Sequence, residues 1–281
     1  MAITTVSALN SLFNTVYEDA LFVAREQNIM TALVRNFGAT GWMDRSIDVR
    51  PQITAVTVAE GDDFANPTTF GKSNLATLSP AEIMAQVVLT DRDIDTDPDN
   101  ARADAAQELG GAIATKIDVD LVNVFDDFTT DKGTAGSALT IARCAAGISV
   151  LRNSSIPGAI QFVLHPYGWH DVWTELGQPA ATQVLLGDVA NAALRDFYVG
   201  RFLNANWFVN SNITVDGSDD AVSGVFHQQS IGFDSRKAPT MEPERDASLR
   251  AWELNFSAGY GFGAIRLDYG IGLTHDATEP T

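Results

Sequence analysis

The sequence predicts an α+β fold, in which one long helix and several long strands come from different parts of the chain. Between Asn100 and about Phe128 the apolar positions recur every three or four residues, as on one face of a helix. Residues 46–58 and 83–90 are rich in β-branched side chains and predict a long two-stranded excursion. The C-terminal part, 226–273, is mainly strand-like.

Size and charge exclude several classes of protein. A chain of 281 residues can bury enough surface to fold without disulfides or a structural metal. Its single thiol, Cys144, cannot form an intrachain disulfide, and we expect it to be a small helical core residue. Thirty-six acidic residues against eighteen basic ones argue against a free-standing nucleic-acid-binding domain. Residues 1–24 contain no Lys or Arg and no long apolar run, so we expect a soluble compartment and no membrane partner.

The first third of the chain predicts a helix followed by a projecting hairpin. Thr15 to Arg35 is helix-prone and ends at Gly38. The strand-like run 46–58 is followed by the turn-rich stretch 62–73, and a second extended run returns over 83–90. The middle of this hairpin has few apolar residues to bury, so it needs a neighbour to hold it.

The predicted long helix lies in the most acidic part of the chain. Between Glu82 and Asp131 there are thirteen acids and three bases, so this segment carries -10 of the total charge of -18. At 1.5 Å per residue the helix is about 42 Å long, far above the average. Gly110 and Gly111 each cost about 1 kcal/mol relative to Ala, and we expect the helix to bend there.

Beyond Gly133 the pattern predicts a compact mixed domain that extends to about Val225. A helix over 138–151 leads to a buried strand over 161–165, and Pro166 opens another helix that reaches about Leu176. The chain then continues in three predicted strands, 226–234, 247–258 and 262–273.

One acidic ladder invites a calcium interpretation. Asp residues occupy alternate positions from Asp91 to Asp99, as oxygen ligands do in an EF-hand loop. The register is wrong, because starting at Asp95 places Asn100 at the glycine position, and starting at Asp93 places Pro98 there. The ladder is better explained by caps and negative charge before a helix.

The other chemical patterns are equally incomplete. His165 and His170 are five residues apart and lack the spacing of a zinc site. Gly259, Gly261 and Gly263 do not join a strand to a helix as a dinucleotide site requires, so we interpret them as strand or bulge residues. We therefore assign no catalytic residue, metal or cofactor and expect a subunit that completes itself against copies of itself.

The order of these parts resembles the major capsid proteins of tailed bacteriophages, the Hong Kong 97-like fold. The resemblance covers about Val16 to Leu273. The residues that carry it are Val58–Gly61 with Phe64 and Phe70, the run Ile83–Asp91, Ala112–Asp118 in the long helix, Phe162–Pro166, Tyr260–Arg266 and Tyr269–Leu273.

The resemblance implies a division of the chain and a self-assembling shell. The expected parts are an N-terminal arm (1–45), an extended loop (46–81), a peripheral domain with the long spine helix (82–137), an axial domain (138–225) and a return to the peripheral domain (226–281). Hexamers and pentamers of such subunits tile an icosahedral shell around double-stranded DNA, which they do not bind sequence-specifically. The candidates for intersubunit contact are Glu60, Phe64, Phe70 and Lys72, and the spine-helix bend is placed at Gly110 and Gly111.

Further partners follow from the resemblance and from departures from it. The chain lacks the long helical N-terminal extension of the type member, which implies a separate scaffolding protein. The resemblance also implies a portal, and it leaves the presence of a decoration protein open. With four lysines, and only Lys72 in the loop, covalent cross-linking is not carried over. An acidic wall would repel the phosphates and let DNA spool inside a virion capsid that is assembled in the host cytoplasm. The alternatives are an encapsulin-type cargo compartment and, more distantly, a soluble calcium-dependent binding protein or hydrolase.

Overall fold

The computed structural model describes residues 28–61, 63–64, 69–96, 100–156, 158–177 and 200–280, which form helices packed on two main sheets and a short ribbon. The helices are α1 (Met30–Leu33), α2 (Asp91–Thr96), α3 (Asn100–Val122), α4 (Ile141–Asn153) and α5 (Pro166–Gly177), with 3-10 turns at Asn123–Asp127 and Leu267–Tyr269. The strands are β1 (Arg35–Gly38), β2 (Arg45–Val49), β3 (Ser73–Leu78), β4 (Ala81–Thr90), β5 (Ile160–Leu164), β6 (Arg201–Phe202), β7 (Ala205–Val209), β8 (Asp220–His227), β9 (Ile231–Asp246), β10 (Ala251–Ala264) and β11 (Gly270–Asp276). The α+β class predicted from the sequence is confirmed.

The predicted long helix lies against the first sheet, whose strand order is β1-β9-β10-β4. Leu109 and Ile113 of α3 are buried in one cluster with Leu254 and Phe256 of β10. The α-helix runs without interruption through Gly110 and Gly111, ends at Val122 and continues as a 3-10 turn, a common way for a helix to end. The bend at the glycine pair stays a prediction.

The second sheet has the order β11-β8-β5-β7-β6 and contains the predicted buried strand as β5. Its core stacks the rings of Phe162 and Trp207, whose centroids are 4.0 Å apart. Cys144 of α4 is fully buried in the same cluster, and burial raises the pKa of its thiol to about 12. It is the helical core residue that the sequence predicts.

Two C-terminal strands differ from the sequence prediction. The predicted strand 226–234 is broken by a turn over 228–230, because Ser230 turns the chain and accepts hydrogen bonds from the Ile265 and Arg266 amides at 2.7 and 3.1 Å. The predicted strand 262–273 is likewise interrupted after Ala264 by a 3-10 turn. Its last part, β11, pairs with β8 in the second sheet and not with β9 and β10.

The described part of the predicted arm is packed into the body of the molecule. The predicted helix 15–35 lies largely outside the described residues, which show only α1 and then β1, a strand parallel to β9. Met30 and Val34 are fully buried. Within the described ranges, no helix is long and apolar enough to cross a membrane.

Candidate functional site

The extended loop, residues 46–81, leaves the body as a two-stranded ribbon. β2 and β3 pair antiparallel from Arg45 opposite Leu78 to Val49 opposite Ser73. The predicted strand 46–58 therefore ends at Val49, and the described residues of 50–72 contain no strand. The predicted return run is β4, which pairs with β10 in the first sheet instead of with the outgoing strand.

This loop and its base concentrate the exposed apolar side chains of the molecule. Eight of the thirteen large hydrophobic side chains that are exposed among the described residues lie between positions 42 and 75. They are Trp42, Met43, Ile53, Val56, Val58, Phe64, Phe70 and Leu75. Soluble monomers rarely present so many apolar side chains on one projecting segment, so the loop has the composition of a contact surface.

The predicted contact residues all lie on this exposed segment, but they do not form one cluster within the chain. Phe64 and Phe70 are 45% and 51% exposed, and Glu60 lies in an exposed turn with Gly61. The guanidinium of Arg50 stands over the Phe70 ring at 4.8 Å. The Nζ atom of Lys72 lies 3.9 Å from Oδ2 of Asp48, which is on β2.

A buried carboxylate fixes the base of the loop. Oδ2 of Asp234, on β9, accepts hydrogen bonds from Nε of Arg45 at 2.8 Å and from Nε of Arg236 at 2.8 Å. The Arg45 guanidinium also lies 5.0 Å from the centre of the Phe37 ring. Sequence reasoning missed this arrangement, since Arg45 and Asp234 are 189 positions apart and neither belongs to a motif.

A second buried carboxylate, that of Asp118, joins three segments that are far apart in the chain. Oδ1 of Asp118, on α3, accepts the backbone N–H groups of Ile29 and Met30 at 3.2 and 2.9 Å. Its Oδ2 accepts the side-chain amides of Asn212, at 2.8 Å, and of Asn210. Asp118 is fully buried, so these bonds fix residues 29–30 against the spine helix, α3.

The first residue of the acidic ladder, Asp91, is engaged in an ion pair, whereas residues 97–99 of the ladder lie outside the described part of the chain. Asp91 forms a two-pronged ion pair with Arg245, in which both N···O distances are 2.7 Å. The ladder begins in a helix, α2, which is not the geometry of an EF-hand loop. In the part of the chain that the structure describes, no group of three His, Cys, Asp or Glu side chains is arranged to hold a metal ion.

The histidine singled out by sequence, His165, is a buried residue at the end of β5. Burial, together with the nearby His275, lowers the pKa of His165. His275 is fully buried, and its Nδ1 lies 2.9 Å from the carbonyl oxygen of Leu273. This contact requires a proton on Nδ1, because a carbonyl only accepts, and burial also lowers the pKa of His275.

Comparison with known proteins gives likenesses of structure only. No protein-family model matches the sequence, and no curated protein matches it. A solved chain from Mycobacterium phage Che8 is 18% identical, with a TM-score of 0.65, over 82% of this chain and 84% of that chain. A chain in the head structure of Helicobacter pylori bacteriophage KHP40 is 13% identical, with a TM-score of 0.69, over 88% of each chain.

A third similar structure is a virus-like particle from Pyrococcus furiosus, which is 10% identical, with a TM-score of 0.62, over 93% of this chain and 98% of that one. At such identities the likeness establishes the fold and leaves the function open. The chain has the Hong Kong 97-like capsid fold that its sequence predicts.

Proposed function

We propose that the chain is a structural subunit, a major capsid protein whose hexamers and pentamers form the icosahedral head of a tailed phage around double-stranded DNA. The observation that carries the proposal is the extent of the fold likeness. It covers 88% of this chain and 88% of the chain from the head of phage KHP40.

The exposed loop supports a role in self-association. Phe64 is 45% exposed and Phe70 is 51% exposed, and such large apolar side chains on a projecting loop are typical of a contact surface. Copies of the chain placed side by side would cover these side chains and gain the stabilisation of burying them. We infer that Glu60, Phe64, Phe70 and Lys72 are in contact with a neighbouring copy.

We assign the parts of the fold to the parts of a shell subunit. The four-stranded sheet with α3 would form the peripheral domain, and the five-stranded sheet with α4 and α5 would form the axial domain. Residues 1–45 are the arm, although their described part, 28–45, is packed on the body. Because β11 pairs with β8, the closing segment would serve both domains.

The charge supports enclosure of DNA without tight binding. A formal charge of -18 repels phosphates on average and lets DNA move along the inner wall. We infer a virion location after assembly in the host cytoplasm. The proposed partners are other copies of the chain, a separate scaffolding protein, a portal and a decoration protein.

The second candidate is an encapsulin-type shell that encloses protein cargo. The likeness to the virus-like particle from Pyrococcus furiosus, over 98% of that chain, favours it specifically. Both candidates are shells, and they differ in their contents. The distant alternative, a calcium-dependent binding protein or hydrolase, rests on the acidic ladder, and the first residue of that ladder, Asp91, is paired with Arg245.

Electron microscopy of the purified chain tests the proposal. We expect closed polyhedral shells or rings of five and six subunits in negative stain. Particles from infected cells should contain nuclease-protected double-stranded DNA, whereas a cargo compartment would contain a defined protein. Discrete monomers at every concentration, with or without a candidate scaffolding protein, would contradict the proposal.

A further inference from the structure

Glycines of β9 and β10 lie beneath the two ends of the extended loop. Residues 39–45, which lead into the loop and which we call its first end, cross β10 at Gly259, where a Cβ atom would be 2.5 Å from the ring of Trp42. The second end, 78–80, crosses it at Gly261, where a Cβ atom would be 3.1 Å from the carbonyl carbon and oxygen of Ser79. The second contact is with backbone, which cannot turn aside as a side chain can.

The side chain of Leu78 is inserted into the same surface. Gly232 of β9 and Gly263 of β10 are paired on adjacent strands of the sheet. A Cβ atom at these two positions would be 3.0 and 3.3 Å from the methyl groups of Leu78. Leu78 is 1% exposed, so the paired glycines form a notch that holds the inner end of β3.

The ion pairs of Asp234 hold the first end of the loop over this surface. Asp234 pairs in register with Gly261, and Arg45 is the first residue of β2. The Asp234 carboxylate is fully buried, and Arg236, whose Nη2 is 2.6 Å from Oδ2, is almost as buried. Two ends of one ribbon are thus fixed at adjacent places, one by charge and one by packing.

We propose that this surface, the glycine seat (Gly232, Gly259, Gly261 and Gly263), is a positioning site that sets the direction of the extended loop for assembly. Gly259, Gly261 and Gly263, the GxGxG run of β10, thus position the loop and do not form a nucleotide site. The inference rests on the proposed function, because a loop direction matters only if the loop meets a neighbouring copy. It adds a site that neither the exposed surface nor the fold likeness identifies.

Distances between spin labels in unassembled subunits test the seat directly. Cysteines are introduced by Asn74→Cys on β3 and Asp268→Cys on the body, both at exposed positions. The native Cys144 is fully buried, so it will not take up the label. We expect one narrow distance distribution in the parent, and a shifted or at least twofold broader one after Gly261→Ala or Leu78→Ala.

The two variants act in opposite ways, and a third serves as a control. Gly261→Ala pushes the second end of the loop away, whereas Leu78→Ala removes the side chain from the notch without crowding. Gly71→Ala adds the same methyl group to the loop where nothing lies within 4 Å, and should leave the distribution unchanged. Circular dichroism checks that each labelled protein is folded.

Shell yield of the unlabelled variants completes the test. We expect at least tenfold fewer closed shells from the two seat variants than from the parent or Gly71→Ala. Parent-like distances in both seat variants, or altered distances with parent-like shell yield, would each overturn the proposal. A parent that stays monomeric at every concentration, with and without a candidate scaffolding protein, refutes the proposed function instead, and the distances still report on the seat.

Discussion

At the residue scale, buried carboxylates connect segments that are far apart in sequence. Asp120 accepts a hydrogen bond at 2.6 Å from the hydroxyl of Tyr260, 140 positions away on β10. Burial and this carboxylate raise the pKa of Tyr260. Asp118 likewise connects α3 to the arm, and Asp234 connects β9 to the base of the loop. Some of the acidic residues of the chain therefore stabilise its interior.

Replacing Asp118 by Ala should destabilise the subunit strongly. Four N–H donors would lose their acceptor, and at least the Met30 amide is buried. We expect a loss of about 3 kcal/mol in the free energy of unfolding, measured with urea. Asp268→Ala, at an exposed carboxylate, should change it by less than about 0.5 kcal/mol. Equal values for the two variants would remove Asp118 from the interactions that hold the fold.

Acid should weaken the second sheet through its buried histidines. The folded-state pKa values of His165 and His275 are lowered by burial, while an unfolded histidine titrates near 6.5. The unfolded chain then binds more protons below about pH 6.5, so stability is fully present above that pH and is lost as pH falls. Asp171, Asp220 and Asp276 face His275 and partly oppose this effect.

We expect the free energy of unfolding to fall between about pH 7 and 5, by up to about 1.4 kcal/mol per pH unit for each histidine. Denaturant titrations at a series of pH values measure this slope. His275→Gln should flatten the slope, because Gln carries no titrating proton. A slope that is the same in the variant and the parent would rule out His275 as its source.

The residue types in the sequence predict which side chains are exposed better than they predict which residues a buried side chain contacts. Glu60, Phe64, Phe70 and Lys72 are exposed, since a turn-rich segment with few apolar neighbours cannot bury them, and their contact with a neighbouring copy stays a prediction. The partners of Asp118 and Asp234 could not be predicted. They lie on segments about 90 and 190 positions away, and only the sheet topology brings them together.

At the element scale, the predicted bend of the spine helix, α3, can be tested. Replacing Gly110 and Gly111 together by Ala should stiffen α3 by about 2 kcal/mol of helix propensity. If the helix bends while a precursor shell converts to the mature one, we expect slower expansion of shells made from this variant, followed by light scattering. Expansion at the parent rate would leave the two glycines as close-packing positions only.

The extended loop offers a charge at its turn for a neighbouring copy. We expect Glu60→Gln to lower the denaturant threshold of assembled shells, because the carboxylate would lose a basic partner, with Arg favoured since it is fourteen of the eighteen bases. One exposed pair contributes about 0 to 1 kcal/mol, but the symmetry of a shell repeats it many times. The difference in denaturant threshold between variant and parent shells should be larger in low salt than in high salt. Identical thresholds at both salt levels would exclude Glu60 from the contacts.

Long periodic elements were predictable, and interrupted strands were not. The spine helix has apolar positions that recur every three or four residues over several turns, and β5 is a short apolar run that follows Pro157 and Gly158. The turn over 228–230 contains Gln228, Gln229 and Ser230 without Gly or Pro, so the sequence carries no signal for the break between β8 and β9. The GxGxG run was assigned to a strand correctly, but its close approach to the loop depends on tertiary structure.

At the scale of the whole molecule, residues 1–27 of the arm should be needed for closure and not for folding. Deleting residues 1–27 keeps Met30, Leu33 and Val34, which are buried in the core. We expect soluble, folded subunits that form no closed shells, as measured by sedimentation velocity. A deletion that extends through Arg35 removes those three side chains and should unfold the body. Normal shells from the shorter deletion would show that the arm is not a structural tie.

The most direct test of the account is a cryo-electron microscopy reconstruction of the particles formed by the full chain. We expect a closed shell of hexamers and pentamers, in which the extended loop of each subunit lies on an adjacent copy. That copy should cover Phe64 and Phe70. Particles in which the loop points into solvent, or a chain that stays monomeric with the loop intact, would contradict it.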